Sequence, residues 1–320
     1  MFLVSKIYAY AQKVPEDFGY RHLIFKYQND PVDVIVISRK GDERVRKPLL
    51  LFCQGNLPQP ILKYDEKGLY GTLPFDETRF LDEFHIVMIN APFVPVISNT
   101  NKLGTDFMYF KDFEKKIPTK GYTERNYLDY YVFRNNFILK QLFKERWVRT
   151  SKLSVVGYSE GSTIATKMAM LNKKITQLIY SGANPYGKIA TVMAQRSQSG
   201  ENKNTTLNYW QKAVENSCDT FSGSGESFKA MYSFSVPQRD NLLALQIPIL
   251  VTYTNSDCAS AYIDLFRIEC IRDQKGNIAF IDYPELQHSF SIADWNGQPA
   301  CKQENWNTIA NDWLDWLSEN

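Results

Sequence analysis

The stretch KLSVVGYSEG, residues 152–161, decides the fold expected for this chain. Its first half is an apolar run typical of a buried strand, and its second half is a G-x-S-x-G pattern centred on Ser159. A nucleophilic serine must stand on a sharp turn between a strand and a helix, so that its hydroxyl is clear of the backbone. Gly157 and Gly161 lack the Cβ atoms that would clash where such a turn closes on itself. The pattern therefore predicts a nucleophilic serine at this turn.

Short apolar runs alternate with amphipathic segments on both sides of this motif. An antiparallel hairpin is predicted first, followed by buried strands, over residues 20–27 and 32–38, then 48–53, 85–90, 152–156, 175–180, 249–253 and 278–282. Apolar residues at helical spacing predict helices over 127–147, 162–171, 260–272 and 306–317. This alternation is typical of an α/β fold, in which helices flank a mostly parallel central sheet on both faces.

Two long polar and aromatic segments, residues 93–120 and 184–240, interrupt the alternation. Insertions of this length inside an α/β body are usually functional. We expect residues 1–183 and 241–320 to form the core domain and residues 184–240 to form a helical cap, or lid. Aromatic residues of the two insertions are candidates for the lining of a substrate cleft: Phe107, Tyr109, Phe110, Tyr186, Trp210, Phe221 and Tyr232.

A nucleophilic serine needs a base, and the sequence contains three histidines. His22 and His85 lie in strand-like segments near the start of the chain, where a structural role is expected. His288 follows the last predicted strand and lies in a loop that could reach the carboxyl edge of the sheet. We therefore expect His288 to accept the proton of Ser159.

The base in turn needs an acid that orients it and stabilises its charged form. Asp257 lies just beyond the strand at 249–253, at the same edge of the sheet as Ser159, and is the leading candidate. Three other carboxylates remain as alternatives, namely Asp264, Asp282 and Glu285.

An oxyanion hole needs backbone N–H donors. The N–H of Glu160, directly after the serine and at the start of a helix, is expected to be one donor. The loop after the strand at 48–53 is expected to supply the other from Asn56, with Leu57 as the next choice. Gly55 would permit a close approach of this loop, although a plain turn is an equal alternative.

The chain resembles the α/β-hydrolase superfamily over roughly residues 20–318. The resemblance rests on QGNLP at 54–58, GYSEGS at 157–162, LQIPILVTYTNSD at 245–257 and YPELQHSF at 283–290. The order Ser159, Asp257, His288 is the order of the triad in that fold. The order of a serine turn followed by a cap is similar to that in the esterase, thioesterase and prolyl-oligopeptidase-like groups of this superfamily. A dienelactone-hydrolase type is disfavoured, because that resemblance would imply a cysteine at position 159.

The expected function is that of a serine hydrolase that cleaves a carboxylic ester, or a related acyl bond, of a small or short peptide-like substrate through an acyl-enzyme. A serine peptidase or amidase differs only in the leaving group and stays open. A ligand-binding protein on the same fold, without turnover, is the alternative from another class. The chemistry requires no metal or organic cofactor.

The composition limits which classes of binding partner and which cellular compartment can be expected for this protein. Lys and Arg number 37 against 35 for Asp and Glu, and this balance supplies no general field for nucleic acid. Five cysteines without a C-x-x-C pair indicate free thiols rather than a zinc cage or a disulfide framework. The apolar run at the N-terminus is short and broken by Lys6, and no stretch is long enough to span a bilayer. We therefore expect a cytoplasmic protein.

Overall fold

An eight-stranded, mostly parallel sheet runs through the computed structural model of this chain. The structure describes residues 13–55, 57–70, 73–104, 107–112, 114–221, 226–284, 286, 290, 292–293, 299–300 and 303–320. In chain order its strands are β1 Arg21–Tyr27, β2 Asp30–Ile37, β3 Lys47–Cys53, β4 Leu62–Asp65, β5 Gly68–Tyr70, β6 His85–Ile89, β7 Ile97–Asn99, β8 Val148–Tyr158, β9 Gln177–Ser181, β10 Ile249–Thr254, β11 Ile278–Tyr283, β12 Ile292–Ala293 and β13 Pro299–Ala300.

The large sheet has the strand order β1-β2-β6-β3-β8-β9-β10-β11. Strand β2 pairs antiparallel with both β1 and β6, whereas every pair from β6 to β11 is parallel. The predicted hairpin and the predicted parallel sheet are therefore confirmed. The carboxyl ends of β3, β8, β9 and β10 consequently meet at one edge of the sheet.

Helices cover both faces of this sheet. They are α1 Phe80–Glu83, α2 Lys120–Arg125, α3 Leu128–Leu142, α4 Glu160–Leu171, α5 Lys188–Gln198, α6 Lys203–Glu215, α7 Phe228–Phe234, α8 Arg239–Ala244, α9 Ser260–Arg272 and α10 Gln303–Glu319, with short 3₁₀ turns at Pro15–Phe18 and Thr100–Lys102. Among the described residues, no helix has both the length and the apolar character needed to cross a bilayer.

Strand β3 shows how the sequence divides the core between the two faces. All seven of its residues are buried. Leu49 and Leu51 join the apolar cluster beneath α3, α4 and α9, whereas Leu50 and Phe52 join the cluster beneath α1 and α10. Successive side chains of a strand point to opposite faces, so a continuous apolar run is what a doubly covered strand requires.

Two local features differ from the sequence prediction. Helix α3 ends at Leu142 rather than at residue 147, and the chain leaves it in a series of tight turns. Trp147 is still buried, and its ring packs edge-on against that of His85. The apolar residues after Leu142 are therefore spaced as in a helix because they are buried, although they do not form one. The small sheet of β5, β4 and β7 was not predicted. Its strands are three or four residues long and partly polar, so they carry no continuous apolar run.

Helices α5, α6 and α7 and the first two residues of α8 lie in the described part of residues 184–240, which we call the helical insertion. The insertion follows β9, and the chain returns to the sheet at β10 after the rest of α8, so it lies between neighbouring strands. The helical character expected of this segment is present in α5, α6 and α7.

Candidate active site

Ser159 stands at the turn between β8 and α4. Its backbone has φ 54° and ψ −129°, which is a left-handed conformation that an L-residue adopts only where its surroundings impose it. Its N–H donates to the carbonyl of Ser181 on β9 at 2.9 Å, and its carbonyl accepts from Ser162 at 2.9 Å. The strained strand-to-helix turn expected from the sequence is therefore present.

Both glycines of the motif are required by close backbone contacts. A Cβ on Gly157 would lie 2.4 Å from Cα of Ser162 and 2.7 Å from the carbonyl oxygen of Gly161. A Cβ on Gly161 would lie 1.9 Å from the carbonyl oxygen of Cys53 at the end of β3. These separations are far below van der Waals contact, so the turn cannot form around side chains at these positions.

Ser162 stabilises the turn through hydrogen bonds of its hydroxyl, a role that the sequence did not predict. Its fully buried hydroxyl lies 2.8 Å from the carbonyl of Gly157 and 2.9 Å from that of Ser181, and it accepts from the Ser181 N–H at 3.0 Å. The hydroxyl has one proton and so donates to one carbonyl at a time. It thereby joins the serine turn to the neighbouring strand β9.

A cavity of about 560 Å³ opens over this turn. Ser159, Glu160, Gly55 and Asp257 all contribute to its wall. A volume of this size falls within the range of small-molecule sites, roughly 300–1,000 Å³. The carboxyl ends of β3, β8 and β10 thus deliver three of the predicted site segments to one cavity.

Of the carboxylates considered as the acid, those that the structure describes are Asp257, Asp264 and Asp282, and among them Asp257 alone lines the cavity. Its Oδ1 accepts from the N–H of Ala259 at 2.8 Å, which fixes the side chain in the turn after β10. Asp264 on α9 accepts from the hydroxyl of Tyr253 at 3.0 Å. Asp282 belongs to β11. Glu285 lies outside the described residues.

The two histidines expected to be structural have partners away from this cavity. His22 lies 2.8 Å from Asp33 across the β1–β2 hairpin. His85 is fully buried in β6, where its Nδ1 and Nε2 lie 2.8 Å from the Ser38 hydroxyl and the Val45 carbonyl. Burial is the largest influence that lowers the pKa of His85. His288, the predicted base, lies outside the described residues.

The predicted oxyanion donors are described in part. Glu160 is the first residue of α4, and the first N–H groups of a helix have no partner within that helix. Gln54 and Gly55, just after β3, lie on the cavity wall, as does Leu57. Asn56, the predicted second donor, lies outside the described residues.

An ion cluster that the sequence analysis missed lies beside the serine. Lys188, the first residue of α5, donates to the Glu160 carboxylate and, at 2.7 Å, to that of Glu226. Burial opposes the charge of Lys188, but the two carboxylates outweigh it and raise its pKa. All three side chains are about one-fifth exposed. The cluster contains one positive and two negative groups and connects the helical insertion to the turn.

A second cavity, of about 490 Å³, lies on the other side of this cluster. Leu57, Glu160 and Lys188 line both cavities. Of the seven aromatic residues proposed for the cleft, Phe110 lines the second cavity, whereas Trp210 and Tyr232 stack on each other with ring centroids 6.0 Å apart. The apolar wall of the first cavity comes instead from residues such as Phe52 and Phe234.

Burial raises the thiol pKa of three described cysteines, Cys53, Cys258 and Cys270, which disfavours the thiolate. Cys53, Cys218, Cys258 and Cys270 are free thiols, as predicted. Burial raises the pKa of Cys53 to about 12, and burial together with the charge of Asp257 raises that of Cys258 to about 11. Among the described residues, no group of three His, Cys, Asp or Glu side chains is arranged to hold a metal ion.

The chain matches no protein-family model and no curated protein sequence. Its structure is similar to Porphyromonas gingivalis dipeptidyl peptidase 4, with a TM-score of 0.56 and 11% identity over 94% of this chain and 35% of that one. It is also similar to Pyrococcus horikoshii acylaminoacyl peptidase, with a TM-score of 0.55 and 14% identity over 91% of this chain and 40% of that one.

A third similar structure is a protein from Klebsiella pneumoniae subsp. pneumoniae assigned as a dienelactone hydrolase, with a TM-score of 0.53 and 11% identity over 94% of this chain and 98% of that one. This chain thus spans 35–40% of the length of the two peptidases and nearly all of the third protein. At these identities the likeness shows the fold alone. The chain has the α/β-hydrolase fold, as the sequence resemblance implied.

Proposed function

We propose that the protein is a serine hydrolase that cleaves a carboxylic ester through an acyl-enzyme, with Ser159 as the nucleophile. One observation supports this most directly. Ser159 is held at φ 54° on the wall of a cavity that it shares with Asp257. Backbone strain of this kind persists only where the surrounding structure imposes it, and it clusters at active sites. An ordinary strand-to-helix turn has no need of it.

His288 is proposed as the base and Asp257 as the acid. His22 and His85 are engaged in other parts of the sheet, so His288 is the remaining histidine of this sequence. Asp257 is the described acid candidate on the cavity wall. In this assignment the Asp257 carboxylate accepts from one ring nitrogen of His288, and the other ring nitrogen accepts the proton of Ser159.

The proposed reaction proceeds in two halves. Ser159 Oγ attacks the ester carbonyl while its proton moves to His288, and the N–H of Glu160 and a donor near Asn56 bind the oxyanion. The alcohol then leaves with that proton, and the acyl group stays on Ser159. Water attacks the acyl-enzyme with His288 again as the base, which releases the acid and restores Ser159.

We further propose that the helical insertion acts as a lid over the reacting serine. Lys188, Thr191, Val192 and Gln195, all on α5, contribute to the wall of the first cavity. Access to Ser159 therefore depends on the position of α5. Residues 1–183 and 241–320 would form the catalytic core that this lid covers.

A fluorophosphonate probe tests the nucleophile. We expect one adduct in the intact mass of the wild-type protein and none in Ser159→Ala, because the probe reacts only with an activated serine. Ser199→Ala, which changes an exposed serine at the end of α5, is the matched control and should label fully. Equal labelling of Ser159→Ala and wild-type protein would exclude Ser159 as the nucleophile.

The bond that is cleaved is tested with p-nitrophenyl esters and p-nitroanilides that share one acyl group. The ester proposal expects turnover of the ester at a much higher kcat/KM than that of the anilide. A preference for the anilide would favour a peptidase or amidase. An absence of both labelling and turnover in folded protein would favour the ligand-binding alternative.

A further inference from the structure

Lys63 is a half-buried lysine in the same cavity as Ser159. It belongs to β4, in the small sheet that the sequence analysis missed, and it lines the first cavity together with Ser159 and Asp257. Among the described residues, no carboxylate, carbonyl or other partner accepts a hydrogen bond from its ammonium. An ammonium that is partly removed from water and has no ion partner is destabilised, so its presence on a cavity wall beside a serine calls for an explanation.

The other described lysine of this cavity differs in this respect. Lys188 is neutralised by Glu160 and Glu226. For Lys63, burial lowers the pKa to about 8, and no carboxylate in the described part of the chain opposes that effect. Lys63 is therefore still largely protonated at neutral pH, and no described carboxylate pairs with it on the cavity wall.

We propose that Lys63 binds an anionic group of the substrate, a carboxylate, while the ester bond of the same molecule lies at Ser159. This inference rests on the proposed function and narrows its substrate class to half-esters of dicarboxylic acids and similar monoanionic esters. A bound carboxylate would supply the counter-charge that the described residues do not provide for the Lys63 ammonium.

A single negative charge fits this cavity better than a double one. Lysine is a point charge that neutralises one anionic group, without the planar fork that arginine offers to phosphate. The cavity of about 560 Å³ has room for both an acyl chain and a leaving group.

The test compares two esters of one shape, mono-p-nitrophenyl glutarate and its methyl ester, which lacks the charge. We expect wild-type protein to favour the charged ester by about 10- to 100-fold in kcat/KM, the range for a hydrogen bond to a charged group. Lys63→Met should bring this ratio close to one with little change for the neutral ester. Lys63→Arg should keep most of the preference.

Two further readouts separate this role from a structural one. The preference should fall as the pH rises through about 8, because Lys63 of the free enzyme then loses its charge, while the neutral ester shows no such loss. Lys67→Met, at the exposed turn between β4 and β5, is the matched control and should keep the wild-type preference. The rate with the neutral ester reports whether Lys63→Met is folded.

The outcomes distinguish this inference from the proposed function. If wild-type protein hydrolyses both esters equally, Lys63 does not select anions, and the hydrolase proposal stands. If neither ester is hydrolysed, titration calorimetry with monomethyl glutarate and dimethyl glutarate decides whether Lys63 binds a carboxylate. Tighter binding of the acid that is lost in Lys63→Met supports the anion site without the reaction, and equal binding overturns it.

Discussion

Lys188 donates a hydrogen bond to Glu160, the residue that directly follows Ser159. The same ammonium donates to Glu226, which lies just before α7. One side chain at the start of α5 therefore joins two parts of the helical insertion to the turn that carries the serine. Because the three groups are largely buried, removal of the Lys188 charge takes away the positive charge that both carboxylates share.

We predict that Lys188→Met lowers the free energy of unfolding by about 2–4 kcal/mol at pH 7, because the positive charge that Glu160 and Glu226 share is removed from between them. The double variant Lys188→Met/Glu226→Gln should be less destabilised than the sum of the single changes, by about 1–3 kcal/mol. Urea unfolding of the four proteins measures this coupling. Additive effects would mean that the two side chains do not interact in solution.

The pH dependence of this contribution follows from the raised pKa of Lys188. The folded state holds the proton more tightly than the unfolded state, whose lysine titrates near pH ~10.4. The margin of wild-type protein over Lys188→Met is therefore complete below that pH. It decreases as the pH rises beyond that value toward the pKa of the folded state.

Ser159→Ala and Ser159→Gly should both abolish turnover, but they should differ in stability. At φ 54° an alanine keeps the backbone strain of the serine, whereas glycine adopts this conformation without it. We expect the glycine variant to be more stable than the alanine variant by about 1 kcal/mol in urea unfolding. An alanine variant as stable as the glycine variant would show that the turn relaxes in solution.

Gly161→Ala should disrupt the turn by crowding. The added methyl would meet the Cys53 carbonyl oxygen at 1.9 Å, so α4 and β3 must move apart. We expect a loss of about 2–3 kcal/mol in unfolding free energy and a large loss of kcat. Gly276→Ala is the control, because its Cβ would meet open space, and it should stay within about 0.5 kcal/mol of wild type.

Ser162→Ala should act on both stability and catalysis. The change leaves the Ser181 N–H without its side-chain acceptor and the Gly157 carbonyl without its donor, both in the interior. We expect a cost of about 1–3 kcal/mol in urea unfolding. If Ser162 positions the turn, kcat with the neutral ester should fall while KM changes little. Ser162→Thr, which retains the hydroxyl, should recover part of the rate.

The strands and the serine turn were predictable because their signals are local. The inner strands β3, β9 and β10 are short apolar runs, because they are buried on both faces. Gly157 and Gly161 are marked in the sequence because the turn has no room for a Cβ at these positions. The position of Asp257 on the cavity wall was predictable for a related reason, because Asp257 follows a recognisable strand at the carboxyl edge of the sheet.

The charged groups around the serine were not predictable. Lys188 and Glu160 are 28 positions apart, and no local pattern marks their meeting, which depends on how the helical insertion packs on the core. Lys63 lies in a four-residue strand with too few apolar residues to be recognised. The role of Ser162 depends on its contact with Ser181 on β9, and nothing in the local sequence distinguishes it from other helical serines.

His85 should make the protein less stable in mild acid. Its contacts fit the neutral ring, with Nε2–H donating to the Val45 carbonyl and Nδ1 accepting from the Ser38 hydroxyl. Burial, with the nearby charges of Arg21 and Lys47, lowers its pKa below the ordinary value of 6.5. The unfolded chain therefore takes up a proton before the folded protein does.

The sign of the effect is fixed by this order of protonation. The stabilising contribution of neutral His85 is complete above pH ~6.5 and is lost as the pH falls, by at most about 1.4 kcal/mol per pH unit. Urea unfolding of wild-type protein and His85→Gln between pH 7.5 and 5 measures it, because glutamine donates but does not titrate. Carboxylates titrate in both proteins, so the difference between the two curves isolates the histidine. Parallel curves would mean that the folded protein protonates His85 as readily as the unfolded chain does.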